Sequence, residues 1–290
     1  MAGRRGSPTL RRRQLGITLR HLRERRGITI EQVAERLECS ASKISRIETG
    51  VTGVNPRDVR DLAAIYALDA DNIDLLVEMA REAKQRGWWQ LYGDVLITGY
   101  VGMEAAADAI LAYESLVVPG LLQTVDYARA LIRAARPGIE PGELERRVRI
   151  RINRQSLISQ DDPLDLKVVL DEAVLRRPVG GPDVMRRQVD HLIAMAERPM
   201  ITIQVLPFAA GAHAGLDGSF AILLFSETSG QDLVFASHAA GGLFLEKHEE
   251  LDTYGSIFGQ LRESALAPDE SVGLLKSLAK EPEWKLKSRG

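Results

Sequence analysis

The chain has 290 residues, of which 45% are hydrophobic and 27% charged, and its formal net charge is −2. Those proportions fit an ordinary soluble protein of two domains with a sizeable core. No apolar run approaches the ~20 residues that cross a bilayer, the basic N-terminus lacks the apolar stretch of a signal peptide, and one cysteine excludes an internal disulfide and fits a reducing, cytoplasmic setting.

The near-neutral total hides a local excess. Arg4, Arg5, Arg11, Arg12, Arg13, Arg20, Arg23, Arg25 and Arg26 crowd the start, opposed only by Glu24. Such a cluster suits phosphates. Residues 1–8 read as a disordered basic arm. Thr9 to Arg26 predicts a helix with Leu15, Leu19 and Leu22 on its inner face and Gly27 at its end.

Residues 29–49 predict a short helix, a tight turn and a second short helix. Thr29 with Gln32 has the spacing of a capping box, and Ile30, Val33, Ala34 and Leu37 share one face. Ser40 caps the second helix, which turns Ile44 and Ile47 inward and Ser42, Lys43, Ser45 and Arg46 outward. A rod that is apolar behind and polar and basic in front suits the major groove. Cys39, in the turn, reads as a small core plug rather than a redox sensor. Asn55-Pro56 opens another helix, and Asp69 or Asp71 caps one more through Lys84.

Arg23 to Gly50, with the phrase Ser40-Ala-Ser-Lys-Ile-Ser-Arg-Ile-Glu-Thr-Gly50, resembles the lambda-repressor-like (XRE-type) helix-turn-helix family. The resemblance implies a five-helix DNA-binding domain, here residues 9–86. It also implies a pair between Arg23 and Glu48 that fixes the first helix against the third. By position and resemblance, Ala41, Ser42 and Arg46 are expected at base edges. Lys43, Ser45, Thr49 and the arginines Arg11, Arg12 and Arg13 are expected on phosphates, and Thr29 and Gln32 join the DNA-binding set. Double-stranded DNA is the expected partner. A homodimer would set two such helices roughly 34 Å apart on a palindrome.

Residues 87–102 read as a linker. Trp88 and Trp89 either pack it onto the second domain or line a ligand pocket. Residues 103–280 predict an α+β regulatory or interaction domain, so the fold class is mainly α with an α+β second domain, its helices around a small mixed or antiparallel sheet. Helices are expected over 104–113, 125–135, 143–159, 185–196 and 243–265, and strands over 166–170, 201–206, 220–225 and 233–236. The arginines of 143–159 read as a solvated face, with nucleic acid or an acidic partner as the alternatives. Residues 281–290 read as a flexible tail.

Five phrases of this domain resemble one attached to actinobacterial helix-turn-helix regulators, the WhiJ-like or antitoxin-like family. They are Val118-Pro-Gly-Leu-Leu-Gln-Thr124 with Asp126-Tyr-Ala-Arg129, Arg151 with Arg154-Gln155, Asp171-Glu-Ala-Val-Leu-Arg176, Val205-Leu-Pro-Phe208 with Gly211-Ala-His213, and Gly218-Ser-Phe220. The resemblance implies developmental or antibiotic-production control beside a small cognate protein from a neighbouring gene. A small-molecule effector is the second reading. Asp171, Glu172 and His213, with Trp88 and Trp89, form the possible ligand or partner site, and Asp171, Glu172, His213, Asp217 and His238 are the polar cluster an enzyme or metal site would use. They lack the spacing of a metal site, a phosphate loop or a catalytic triad. No cofactor, metal or membrane contact is expected, and an enzyme fused to a DNA-binding domain is the third and least favoured reading.

Overall fold

The computed structural model describes residues 8–83, 98–160, 163–226, 232–238 and 241–280. The chain divides into two compact units, Met1–Ala106 with Ser226–Gly230, and Ala107–Phe225 with Gln231–Gly290. Each has its own core.

The first unit contains α1 (Pro8–Arg25), α2 (Ile30–Arg36), α3 (Ala41–Glu48), α4 (Pro56–Ile65), α5 (Ala70–Ala83) and α6 (Thr98–Glu104). Local chemistry sets the boundaries. Thr29 and Gln32 exchange two hydrogen bonds of 2.9 and 3.3 Å as a capping box for α2. The Asn55 side chain accepts from the amides of Arg57 and Asp58 ahead of Pro56. Asp69, rather than Asp71, accepts the Asn72 amide at the start of α5. Leu15, Leu19, Val33, Ile44, Ile47, Val59, Leu62, Leu76 and Val77 fill the core. Two glycines allow α1 to approach α3. A Cβ on Gly16 would lie 2.7 Å from the Glu48 carbonyl oxygen, and one on Gly50, at φ +68°, would lie 2.8 Å from Arg13 Cα.

The second unit holds β1 (Ala109–Glu114), α7 (Val125–Ala135), α8 (Pro141–Asn153), β2 (Asp165–Asp171), α9 (Glu172–Arg176), α10 (Pro182–Ala196) and β3 (Ile201–Leu206). These are followed by β4 (Phe220–Leu224), β5 (Leu233–His238), β6 (Gly241–Leu245), α11 (His248–Ser264) and α12 (Pro268–Lys280). The sheet order is β3-β2-β1-β4-β5-β6. β1, β2 and β3 are parallel, while β4, β5 and β6 run antiparallel to their neighbours. The parallel half has both faces covered. Leu166, Val168, Val169 and Leu170 are therefore all buried, instead of alternating as in a one-sided strand.

Several expectations change. Residues 109–114 form a strand, not the end of a helix over 104–113. The alanines before them favour helix by propensity, but β1 is hydrogen-bonded to β2 on one side and β4 on the other. The predicted linker is helical from Thr98. The helix expected from Leu243 starts at His248, because residues 241–245 pair with β5. Glu250 Oε2 accepts the amides of Glu246 and Lys247 and marks the new start. The long arginine-rich helix ends at Asn153 and continues as a 3₁₀ turn over Arg154–Ile158. α12, which Ser271 anchors, lies within the expected α+β domain at residues where no helix is expected.

Candidate nucleic-acid interface and the polar cluster of the second unit

Ser40 is the N-cap of α3, its hydroxyl accepting the Lys43 amide at 3.2 Å. Ile44, Ile47 and Glu48 are buried, so the opposite face is turned outward with Ser42 and Arg46 exposed. Arg46 Nε donates to the Ser42 carbonyl at 3.3 Å. The exposed Thr49 hydroxyl donates to the Ser45 carbonyl at 2.8 Å. Ala41, Lys43 and Ser45 are half-buried. Lys43 Nζ lies 2.9 Å from Asp58 Oδ2, a hydrogen bond that raises the lysine pKa. Thr29 and Gln32 remain exposed while capping α2.

Behind this face, Arg23 and Glu48 form the bidentate pair that the resemblance implies. Nε donates to Oε1 at 2.7 Å and Nη2 to Oε2 at 2.9 Å, while Nη1 reaches the Ile28 carbonyl at 2.9 Å. The Glu48 hydrogen bond is the largest influence on Arg23 and raises its pKa. The planar fork ties α1, the turn before α2, and α3 into one frame.

The N-terminal arginines differ from expectation. Arg13 is 7% exposed, and burial lowers its pKa to about 10. Its backbone and Cβ lie against Gly50, and its side chain is buried instead of standing on an open face. Arg12 is half-buried and is also lowered by desolvation. The side chain of Arg11, Trp88 and Trp89, and the side chain of His238 lie outside the described residues.

In the second unit, Asp171, Glu172 and His213 do come together, at the end of the sheet where the parallel strands finish. Asp171 Oδ1 accepts the Ala173 amide at 2.8 Å and caps α9. Its Oδ2 lies 3.4 Å from Tyr113 Oη and 3.7 Å from His213 Nε2. The Gly215 amide donates to His213 Nδ1 at 3.2 Å, which places the neutral ring's proton on Nε2, toward Asp171. Glu172 accepts from the Phe208 amide at 2.9 Å and from Arg176 Nε at 3.1 Å. Each acid thus holds one backbone amide and meets side chains with its other oxygen. Among the described residues, no group of three His, Cys, Asp or Glu side chains is placed to hold a metal ion.

Tyr113, the last residue of the expected helix, and Glu114, just beyond it, were not among the expected site residues, yet both close β1. Burial and then Asp171 push the Tyr113 pKa upward. Burial also pushes the Glu114 carboxyl up to about 7, against the opposing hydrogen bond from Ser219.

The first two phrases of the second resemblance act as braces. Gln123 Nε2 donates to the Val118 carbonyl at 2.6 Å, and Gln155 Nε2 to the Gln123 carbonyl at 2.6 Å. Gln188 accepts the Thr124 amide and donates to the Leu122 carbonyl, each at 2.7 Å. Arg151 donates to Gln123 Oε1 at 3.1 Å. Buried polar backbone of the loop after β1 is thereby satisfied.

Residues 97–277, more than half of the chain, match the family model described as a domain of unknown function (DUF5753). The chain belongs to the DUF5753 family. Residues 14–76 match a helix-turn-helix domain (HTH_31), the type of N-terminus found in DNA-binding regulators. No curated protein matches the chain. No solved structure matches it either. The DUF5753 match begins within residues 84–97, outside the described set, and takes in α6 and the whole six-stranded sheet. None of the described helices is long and apolar enough to cross a membrane.

Proposed function

We propose that this DUF5753 chain is a sequence-specific transcriptional regulator that acts as a homodimer on a palindromic operator. The carrying observation is α3, with Ser42 and Arg46 exposed on one face while Ile44, Ile47 and Glu48 anchor the other. Arg46 reaches a guanine edge in bidentate fashion. Ser42 and Ala41 read neighbouring positions, and Lys43, Ser45 and Thr49 take phosphates. Lys43 gives up its Asp58 contact, or shares it, on meeting the duplex.

The second unit binds a small cognate protein, in keeping with the resemblance to WhiJ-like, antitoxin-like regulators of actinobacteria. It does so as a cytoplasmic, non-catalytic module. Asp171 and Glu172 support that reading, because their oxygens are engaged with Ala173, Phe208 and Arg176 amides and guanidinium groups. The second reading is a small-molecule sensor. It draws on His213, Tyr113 and Asp171 at the carboxyl ends of parallel strands, where open α/β sheets bind ligands.

Arg46→Ala tests the first reading. Selection of operator sequences from random duplexes should lose its base preference at one position per half-site. Affinity for the best site should fall by about 1–3 kcal/mol, with binding to unrelated DNA little changed. Unaltered operator selection would remove α3 from the role of reader. Mass spectrometry of the complex purified from its own cell separates a bound protein from a bound metabolite.

A further inference from the structure

The arginines singled out on α8 are mostly committed. Arg146 and Arg147 pair with Glu143 at 2.8 and 2.7 Å, and Arg151 bonds Gln123. A second group of arginines lies in an open cleft of about 550 Å³ between α7 and α10. Arg129, Arg133 and Arg187 line it with Asp126, and Glu145 also pairs with Arg129, which leaves an excess of one positive charge, that of Arg133. Ala130 and Val184 are part of an apolar lining.

Two of the three guanidinium groups are held in place. Arg129 forms a fork on Glu145 at 2.7 and 3.1 Å and also bonds Asp126 at 3.0 Å. Arg187 bonds the other oxygen of Asp126 at 2.9 Å. Arg133 is exposed and has no ion pair among the described residues. Val125, 42% exposed at the start of α7, is a further apolar group on this helix.

We propose that this cleft docks an acidic, partly apolar helical segment of a partner protein. The proposal rests on the partner-binding reading of the second unit and assigns that partner its chemistry. Charge complementarity and the apolar lining choose the occupant. Carboxylates one turn apart on a helix, about 5–6 Å between Cβ atoms, can meet Arg133 and the outer faces of Arg129 and Arg187 while alanine- or leucine-sized groups cover Ala130 and Val184. A nucleic-acid backbone carries a charge about every 1.7 Å of duplex and would press phosphates against Asp126. Pre-tethered arginines lose little side-chain freedom on binding, which favours the contact.

The test uses the full chain and a dye-labelled helical peptide with glutamates at i, i+4 and leucine and alanine between them, read by fluorescence anisotropy. A peptide with glutamine for glutamate is the control. The acidic peptide should bind about tenfold tighter than the control and weaken with salt. Arg133→Glu should remove that advantage, whereas Arg133→Lys should retain most of it and Arg133→Glu should leave duplex affinity unchanged. Equal binding of the two peptides, or indifference to Arg133→Glu, overturns the proposal and leaves DNA reading untouched. In an Arg46→Ala background, displacement of the peptide by random duplex would make the cleft a nucleic-acid surface and overturn it too. A native complex that carries a metabolite and no protein removes the partner-binding reading, and the docking proposal with it.

Discussion

Glu114 shows how burial changes a residue's behaviour. It closes β1, and burial pushes its carboxyl from 4.5 to about 7. Between those values the folded state holds a proton that the unfolded chain has released. The associated stability is present in full below about pH 4.5 and is lost as pH rises through about 7. Glu114→Gln should therefore match the wild type near about pH 4 and become the more stable of the two at pH 8, by at most about 3–4 kcal/mol. Thermal melting of both proteins across that range checks the sign. A constant difference would mean that the carboxyl is already solvated. The sequence carried no signal for this group, since an acid at the end of Ala109-Ile-Leu-Ala-Tyr-Glu114 reads equally well as the exposed side of a helix. Arg23 and Glu48, by contrast, were legible through the family phrase.

Among the elements, those with local punctuation were readable. Thr29 with Gln32, Ser40, Asn55-Pro56 and Thr124 each satisfy helix amides from within three residues, so their effect is visible in a short window of sequence. β1 and β6 were not, because what makes them strands lies far along the chain. The same holds for the outer edge of β3. The Val205 amide donates to Ser271 Oγ at 2.9 Å, and the Val205 carbonyl accepts the Leu266 amide at 2.9 Å. α12 and the turn before it thus close a sheet edge that would otherwise present open backbone groups. Ser271→Ala should strand the buried Val205 amide and cost about 1–3 kcal/mol in a urea titration. A change near zero would show that water or a shifted α12 takes over the bond.

On the scale of the molecule, the chain divides into two units with separate cores. Glu48→Ala leaves the Arg23 guanidinium half-satisfied in a buried site, at a cost of about 3–5 kcal/mol. Hydrogen exchange should then quicken in α1, α2 and α3 and leave the amides of β1, β2 and β3 at their wild-type rates. Equal acceleration in both would mean that the whole chain opens as one cooperative body.

The amino-acid order alone determined the helix-turn-helix, because caps, inward isoleucines and an outward serine and arginine all act within about twenty residues of one another. It also determined four of the strands, since runs of branched apolar residues between breakers have few other uses. Only tertiary structure decided that Arg13 belongs to the interior, that an alanine-rich stretch ends in a central strand, and that arginines from α7 and α10 face one cleft. Each of those outcomes depends on partners tens of residues away, and competition between distant contacts outweighs a local preference worth only a fraction of a kilocalorie per residue.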